Sequence, residues 1–143
     1  MPIISIPVDP QLPEDFYNTP NEERSDGELA QWWQKPYACT NADGSLDVRC
    51  LDGGAWDRPT FYGSAPDLPA ACLLAERKLA TWQWYQSVPV TCLQENTIEL
   101  VVMPDRPGQG QPVVLARFGR GEQEAVNAWQ AAWRENHPMP EGD

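Results

Sequence analysis

The sequence predicts an α+β protein: an antiparallel sheet of about five to six strands, two main helices packed on it, and an extended N-terminal arm. Three observations lead there. Two segments, near 67–86 and 122–135, repeat apolar residues at intervals of three or four, the spacing of one helix face. Several short runs alternate apolar and polar residues, the period of a strand with one buried side. Those runs follow one another at hairpin spacing, which favours antiparallel pairing over parallel crossovers.

Residues 1–18 hold prolines and acids with no sustained period and read as an extended acidic arm, which either wraps its own domain or orders on a partner. A single α+β domain is expected over 19–136 and a flexible tail over 137–143. Thr19-Pro20-Asn21-Glu22 has the capping-box spacing with Pro at the first helical position. Ser25-Asp26-Gly27-Glu28 repeats that spacing just before Leu29, Trp32 and Trp33, so a short helix near 26–34 is expected, ending before Pro36. Tyr37–Thr40 and Leu46–Leu51 flank the turn-rich Asn41-Ala42-Asp43-Gly44-Ser45 and form a hairpin. Trp56–Tyr62 suits a further edge strand, because Pro59 cannot donate to a central ladder.

The long helix over about 67–86 is capped by Ser64 or Asp67, with Pro66 and Pro69 confined to its first turn. Leu68, Cys72, Ala75, Leu79 and Trp82 form its apolar stripe, and Glu76, Arg77, Lys78 and Gln83 the opposite side. Pro89 ends it. Val88, Val90 and Cys92 then share one strand face, and Ile98, Leu100 and Val102 another, with Gln94-Glu95-Asn96 turning between. The loop Pro104–Pro112 leads to a strand over Val113–Phe118 and a last helix over about 122–135. Glu122 and Glu124 complement that helix's N-terminal dipole, and Arg134 its last turn.

The 143 residues suit one ordinary domain, with 41% hydrophobic and 22% charged residues. The net charge of −11 is uneven: residues 1–30 carry −6, residues 119–143 carry −3, and the middle only −2. Such a chain is repelled by phosphate, which argues against direct nucleic-acid binding. No run approaches the ~18 apolar residues of a membrane span, and the start has no basic n-region, so no membrane association and a cytoplasmic location are expected. In that compartment Cys39, Cys50, Cys72 and Cys92 are expected as thiols, with a Cys39–Cys50 bridge across the hairpin left open. They contain no Cys-x-x-Cys spacing, and neither a metal nor a cofactor is expected.

Catalytic signatures are weak. His137 is the sole His and sits in the tail, poorly placed as a base, and phosphate-loop and zinc motifs are missing. The densest polar–aromatic run is Asp52-Gly53-Gly54-Ala55-Trp56-Asp57-Arg58. In it Arg58 could clamp an anion while Trp56 stacks, and Asp52 and Asp57 could divide acid and base roles. An ordinary turn is the simpler account. Seven Trp residues are many for one small core. Trp32-Trp33 and Trp82-x-Trp84 cannot all face one way, so Trp33 and Trp84 are candidate contact residues, or pack under the arm. Arg106 is the charged tip of the 104–112 loop.

Two readings follow. One is a small acidic interaction module (inhibitor, adaptor or assembly component) without catalytic activity, contacting another protein that itself presents a basic or apolar surface. The alternative is a small-molecule-binding or enzymatic domain using the Asp52–Arg58 loop. Homo-oligomerisation through a sheet edge or the Trp-bearing helices is a third expectation.

Overall fold

The computed structural model describes residues 4–55, 58–104 and 110–140. The protein is α+β, and its strands form two three-stranded antiparallel sheets instead of the single larger sheet expected. Alternation along a strand encodes which side is buried but says nothing about which strand lies beside it, so the division was invisible in the pattern. The chain clusters into two compact units, the first running to Trp82 and the second spanning Gln83–Pro140.

In the first unit β1 (Tyr37–Thr40), β2 (Leu46–Cys50) and β3 (Thr60–Ala65) form a meander in sequential order. The third strand lies later than the expected Trp56–Tyr62, because Pro59 stands just before the ladder rather than within it. Helix α2 (Leu68–Ser87) follows, close to its expected bounds; Asp67 Oδ1 accepts from the Ala70 N–H at 2.9 Å. Ala71, Cys72 and Ala75 of α2 pack on one sheet face against Ala38, Leu46, Val48, Cys50, Tyr62 and Ala65. Leu68, expected on the buried stripe, is 44% exposed in the first turn.

A bulge between Val48 and Arg49 leaves Tyr62 as the extra residue of β3. Gly63 makes it feasible: its φ is 137°, and a Cβ there would stand 3.2 Å from Leu74 Cδ2 on α2. Tyr62 is consequently buried with the α2 side of the sheet.

The other face of this sheet carries Tyr37, Cys39, Asp47, Arg49 and Phe61. Part of it is covered by the short helix α1 (Asp26–Trp32), whose N-cap Ser25 Oγ accepts from the Glu28 N–H at 3.0 Å. The rest of the cover is the N-terminal arm, the outcome in which it wraps its own domain. Ala38 N–H donates to Pro7 O at 2.9 Å and Asp9 N–H to Ala38 O at 3.1 Å, closing the outer edge of β1. Phe16 is 2% exposed and touches Trp32 and Tyr37, with ring centroids 4.9 and 5.0 Å apart.

The second unit repeats the order strand–strand–strand–helix: β4 (Val90–Leu93), β5 (Thr97–Val102), β6 (Val113–Gly119) and α3 (Gln123–Asn136). Ile98 and Leu100 of β5 meet Val126 of α3, with Ala116, Phe118 and Trp129 at the margin. No helix is long and apolar enough to cross a membrane among the described residues.

Candidate functional site

Of the residues singled out in the sequence, Trp56, Asp57 and Arg106 lie outside the described residues. Asp52 is placed inward, 1% exposed, as the hub of a hydrogen-bond network. Its Oδ1 accepts from the Gly54 N–H at 2.8 Å and the Thr60 hydroxyl at 2.6 Å, and its Oδ2 from the Tyr62 hydroxyl at 2.7 Å. The Asp52 carbonyl accepts from the Trp82 indole N–H at 2.8 Å. Charge-assisted bonds of this kind hold the turn that joins β2 to β3. Arg58 is exposed on the same connection.

Trp33 is half-buried, pairs through its backbone with Leu51, and lays its indole edge against Gly53, 3.4 Å from where a Cβ on that glycine would stand. Trp84 lies in the second unit, far from that loop in sequence. Its N–H donates to His137 O at 2.7 Å, and its ring neighbours Tyr85 and Trp133 at 5.1 and 6.2 Å. His137 stacks on Trp133 with centroids 4.3 Å apart. The candidates therefore do not converge: Trp33 and Asp52 brace one turn, and Trp84 anchors the end of α3.

All four cysteines are free; Cys39, Cys50 and Cys72 are buried and Cys92 half-buried. Cys39 and Cys50 point to opposite faces of the first sheet, one packed with Tyr37 and the other with Val48, so the hairpin does not bring their sulfurs together. Burial pushes the Cys50 thiol up to about 12, against the smaller downward pull of its bond with the Tyr62 hydroxyl. Burial likewise raises Tyr37, Cys39 and Tyr62, the last also through Cys50 and Asp52 beside it. From the ordinary 9.0 up to about 12, the unfolded chain has released the Cys50 proton while the fold retains it. Stability should thus be full below about pH 9 and fall as pH rises toward 12. Urea midpoints at about pH 8 and about pH 10.5 test this; equal midpoints would mean these groups ionise as freely folded as unfolded.

A cleft of about 390 Å³ that no sequence pattern announced is walled by the arm, with Asp9, Leu12, Glu14, Asp15, Tyr17 and Cys39 among its lining residues. Asp9 is fixed there by donation from the Thr40 N–H and hydroxyl, at 2.9 and 2.8 Å. Glu14, Asp15 and Tyr17 are exposed, with Asp15 in the left-handed region at φ 54°. Beside the cleft the Arg49 guanidinium lies 4.9 Å from the Tyr17 ring centre and 5.3 Å from that of Phe61. Asp47, 3.7 Å from Arg49, takes hydrogen bonds from Asn41 and Ser64 that hold its carboxyl below the usual carboxylate range. Tyr17 and Phe61 remain 40% and 55% exposed. The signal for this face was present but faint: Phe16-Tyr17 is an aromatic pair inside a proline- and acid-rich arm.

Among the described residues no three His, Cys, Asp or Glu side chains gather as metal ligands would. Comparison with family models, curated proteins and solved structures finds no match to this chain.

Proposed function

We propose that the chain is a small acidic protein–protein interaction module, an inhibitor, adaptor or assembly component without catalytic activity, and that its recognition face is the arm cleft. The observation that carries this reading is the joining of Asp9, Glu14 and Asp15 with the exposed ring of Tyr17 in one cleft, with Phe61 55% exposed nearby. A Lys or Arg side chain from a partner would meet carboxylates and an aromatic wall together. Tyr17 and Phe61 would supply apolar contact at low entropic cost, because Arg49 already limits both rings. The net charge of −11 would speed the approach of a basic partner. The partner expected is therefore a protein with a basic surface flanked by apolar residues.

The test is affinity capture from native lysate followed by titration of the captured protein. Glu14→Lys/Asp15→Asn changes the cleft, Asn being tolerated at the left-handed Asp15. Glu22→Lys/Glu23→Gln makes the same charge change at exposed positions outside the cleft lining. Affinity should fall by about tenfold in the first variant and by much less in the second. Equal losses would reduce the effect to net charge, and no loss in either would remove the cleft from recognition.

A further inference from the structure

A second cleft in the first unit, about 470 Å³ in volume, has a different chemistry. Ile4 and Pro7 of the arm, Trp32 at the end of α1, Pro36, and Leu79 of α2 form apolar walls, and Ser5, Gln31, Gln34 and Lys35 are its polar lining. We propose that this cleft binds a small amphipathic carboxylic acid, its apolar body between Trp32 and Leu79 and its carboxylate at the Lys35 ammonium.

The walls are fixed before any ligand arrives. Gln34 adopts φ 57°, and its N–H donates to Leu51 O at 2.8 Å, while the Lys35 N–H donates to Trp32 O at 3.2 Å. The residues between α1 and β1 thus form a pinned ledge that presents Lys35. The opposite wall is tied to the same strand through the bond from Ala38 N–H to Pro7 O. The Trp32 indole is held against Phe16 and Tyr37, at 4.9 and 6.2 Å between ring centres. Two proline rings and a clamped indole have little conformational freedom left to lose, so apolar contact there is gained at small entropic cost. The volume lies within the range that encloses a small organic ligand.

The sign of charge selects the ligand. Among the described residues Lys35 is the only charged side chain lining the cleft, it is exposed, and it makes no ion pair. The rest of the chain is strongly acidic, at −11 overall, so its general field favours cations everywhere else. An apolar cleft with a single cation at its polar lining therefore discriminates against the global field. A neutral ligand would leave the ammonium unused, and an apolar amine would meet it as a like charge.

Calorimetric titration of the whole protein with octanoate, octanol and octylammonium separates these cases. Octanoate should bind about fivefold tighter than octanol, and octylammonium weakest of the three. Lys35→Met keeps the apolar stem and should bring octanoate down to the affinity of octanol. Ser5→Trp, at an exposed wall position clear of the core, should fill the cleft and remove binding of all three. The proposal is overturned if none of the three binds, if octylammonium binds best, or if the octanoate preference survives in Lys35→Met. Binding that persists undiminished in Ser5→Trp would place the ligand elsewhere and overturn it as well. The arm-cleft reading is untouched by these results, since none of the substituted residues lines that cleft.

Discussion

Asp52→Ala should destabilise the protein by about 4 kcal/mol, a large fraction of the ordinary stability of a domain. The carboxylate is 1% exposed and accepts from three donors on three different residues, Gly54, Thr60 and Tyr62. Alanine leaves the Tyr62 hydroxyl, in a 9% exposed residue, without its acceptor, and frees the Thr60 hydroxyl that also accepts from the Ala55 N–H at 2.8 Å. Each lost charged bond is worth roughly 1.5–3 kcal/mol, and the three are not independent, so a plain sum would overshoot. Asp52→Asn retains one carbonyl acceptor and should cost about half as much. Urea unfolding of the three proteins measures the series. A loss below about 1 kcal/mol for the alanine variant would show that the network does not carry the turn. The same bonding explains why Asp52, one of the two carboxylates the sequence offered for acid–base roles, is a brace in the fold: both its oxygens already accept hydrogen bonds.

Arg24→Met should release the N-terminal arm and lower stability by about 3 kcal/mol. The Arg24 side chain is fully buried and pairs with Glu28 at 2.8 Å. It also donates to the carbonyls of Phe16 and Thr19 and to Asn21 Oδ1, and lies 4.2 Å over the Phe16 ring. Methionine keeps bulk and apolar character but supplies no donor, so two backbone carbonyls, Asn21 Oδ1 and the Glu28 carboxylate all lose that donor. Because Phe16 closes the cluster with Trp32 and Tyr37, the loss should appear locally first. Proteolysis within residues 13–24 should quicken while amides of β5 stay protected from hydrogen exchange. Unchanged cleavage with an unchanged urea midpoint would mean that the arm holds without Arg24. An undocked arm would also dismantle both clefts, since Ile4, Ser5 and Pro7 line one and Asp9–Tyr17 the other.

The order and bounds of the elements were largely present in the sequence because they depend on local chemistry. Ser25 capping, the prolines at 36 and 89, and the spacing through Cys72, Ala75 and Leu79 act within a few residues. They placed α1, the first hairpin, α2 and α3 within a few residues of their observed ends. The α+β class follows from the same information. Tertiary structure alone decided that the six strands divide into two meanders, since pairing depends on backbone partners that no alternation pattern names.

It also decided which polar residues face inward. Arg24 and Asp52 carry charges that composition would send to the surface, and both are buried because the folded chain turns donors or acceptors from within about ten residues onto each of them. The clefts arise from an arm bonded alongside β1 through Pro7 and Asp9, which brings Tyr17 beside Arg49 and Ile4 into one cleft with Leu79. Local propensity sets what each segment can be. Which side chains meet across gaps of 30 or 70 residues is set by packing, because only the assembled fold removes the entropy that keeps such residues apart.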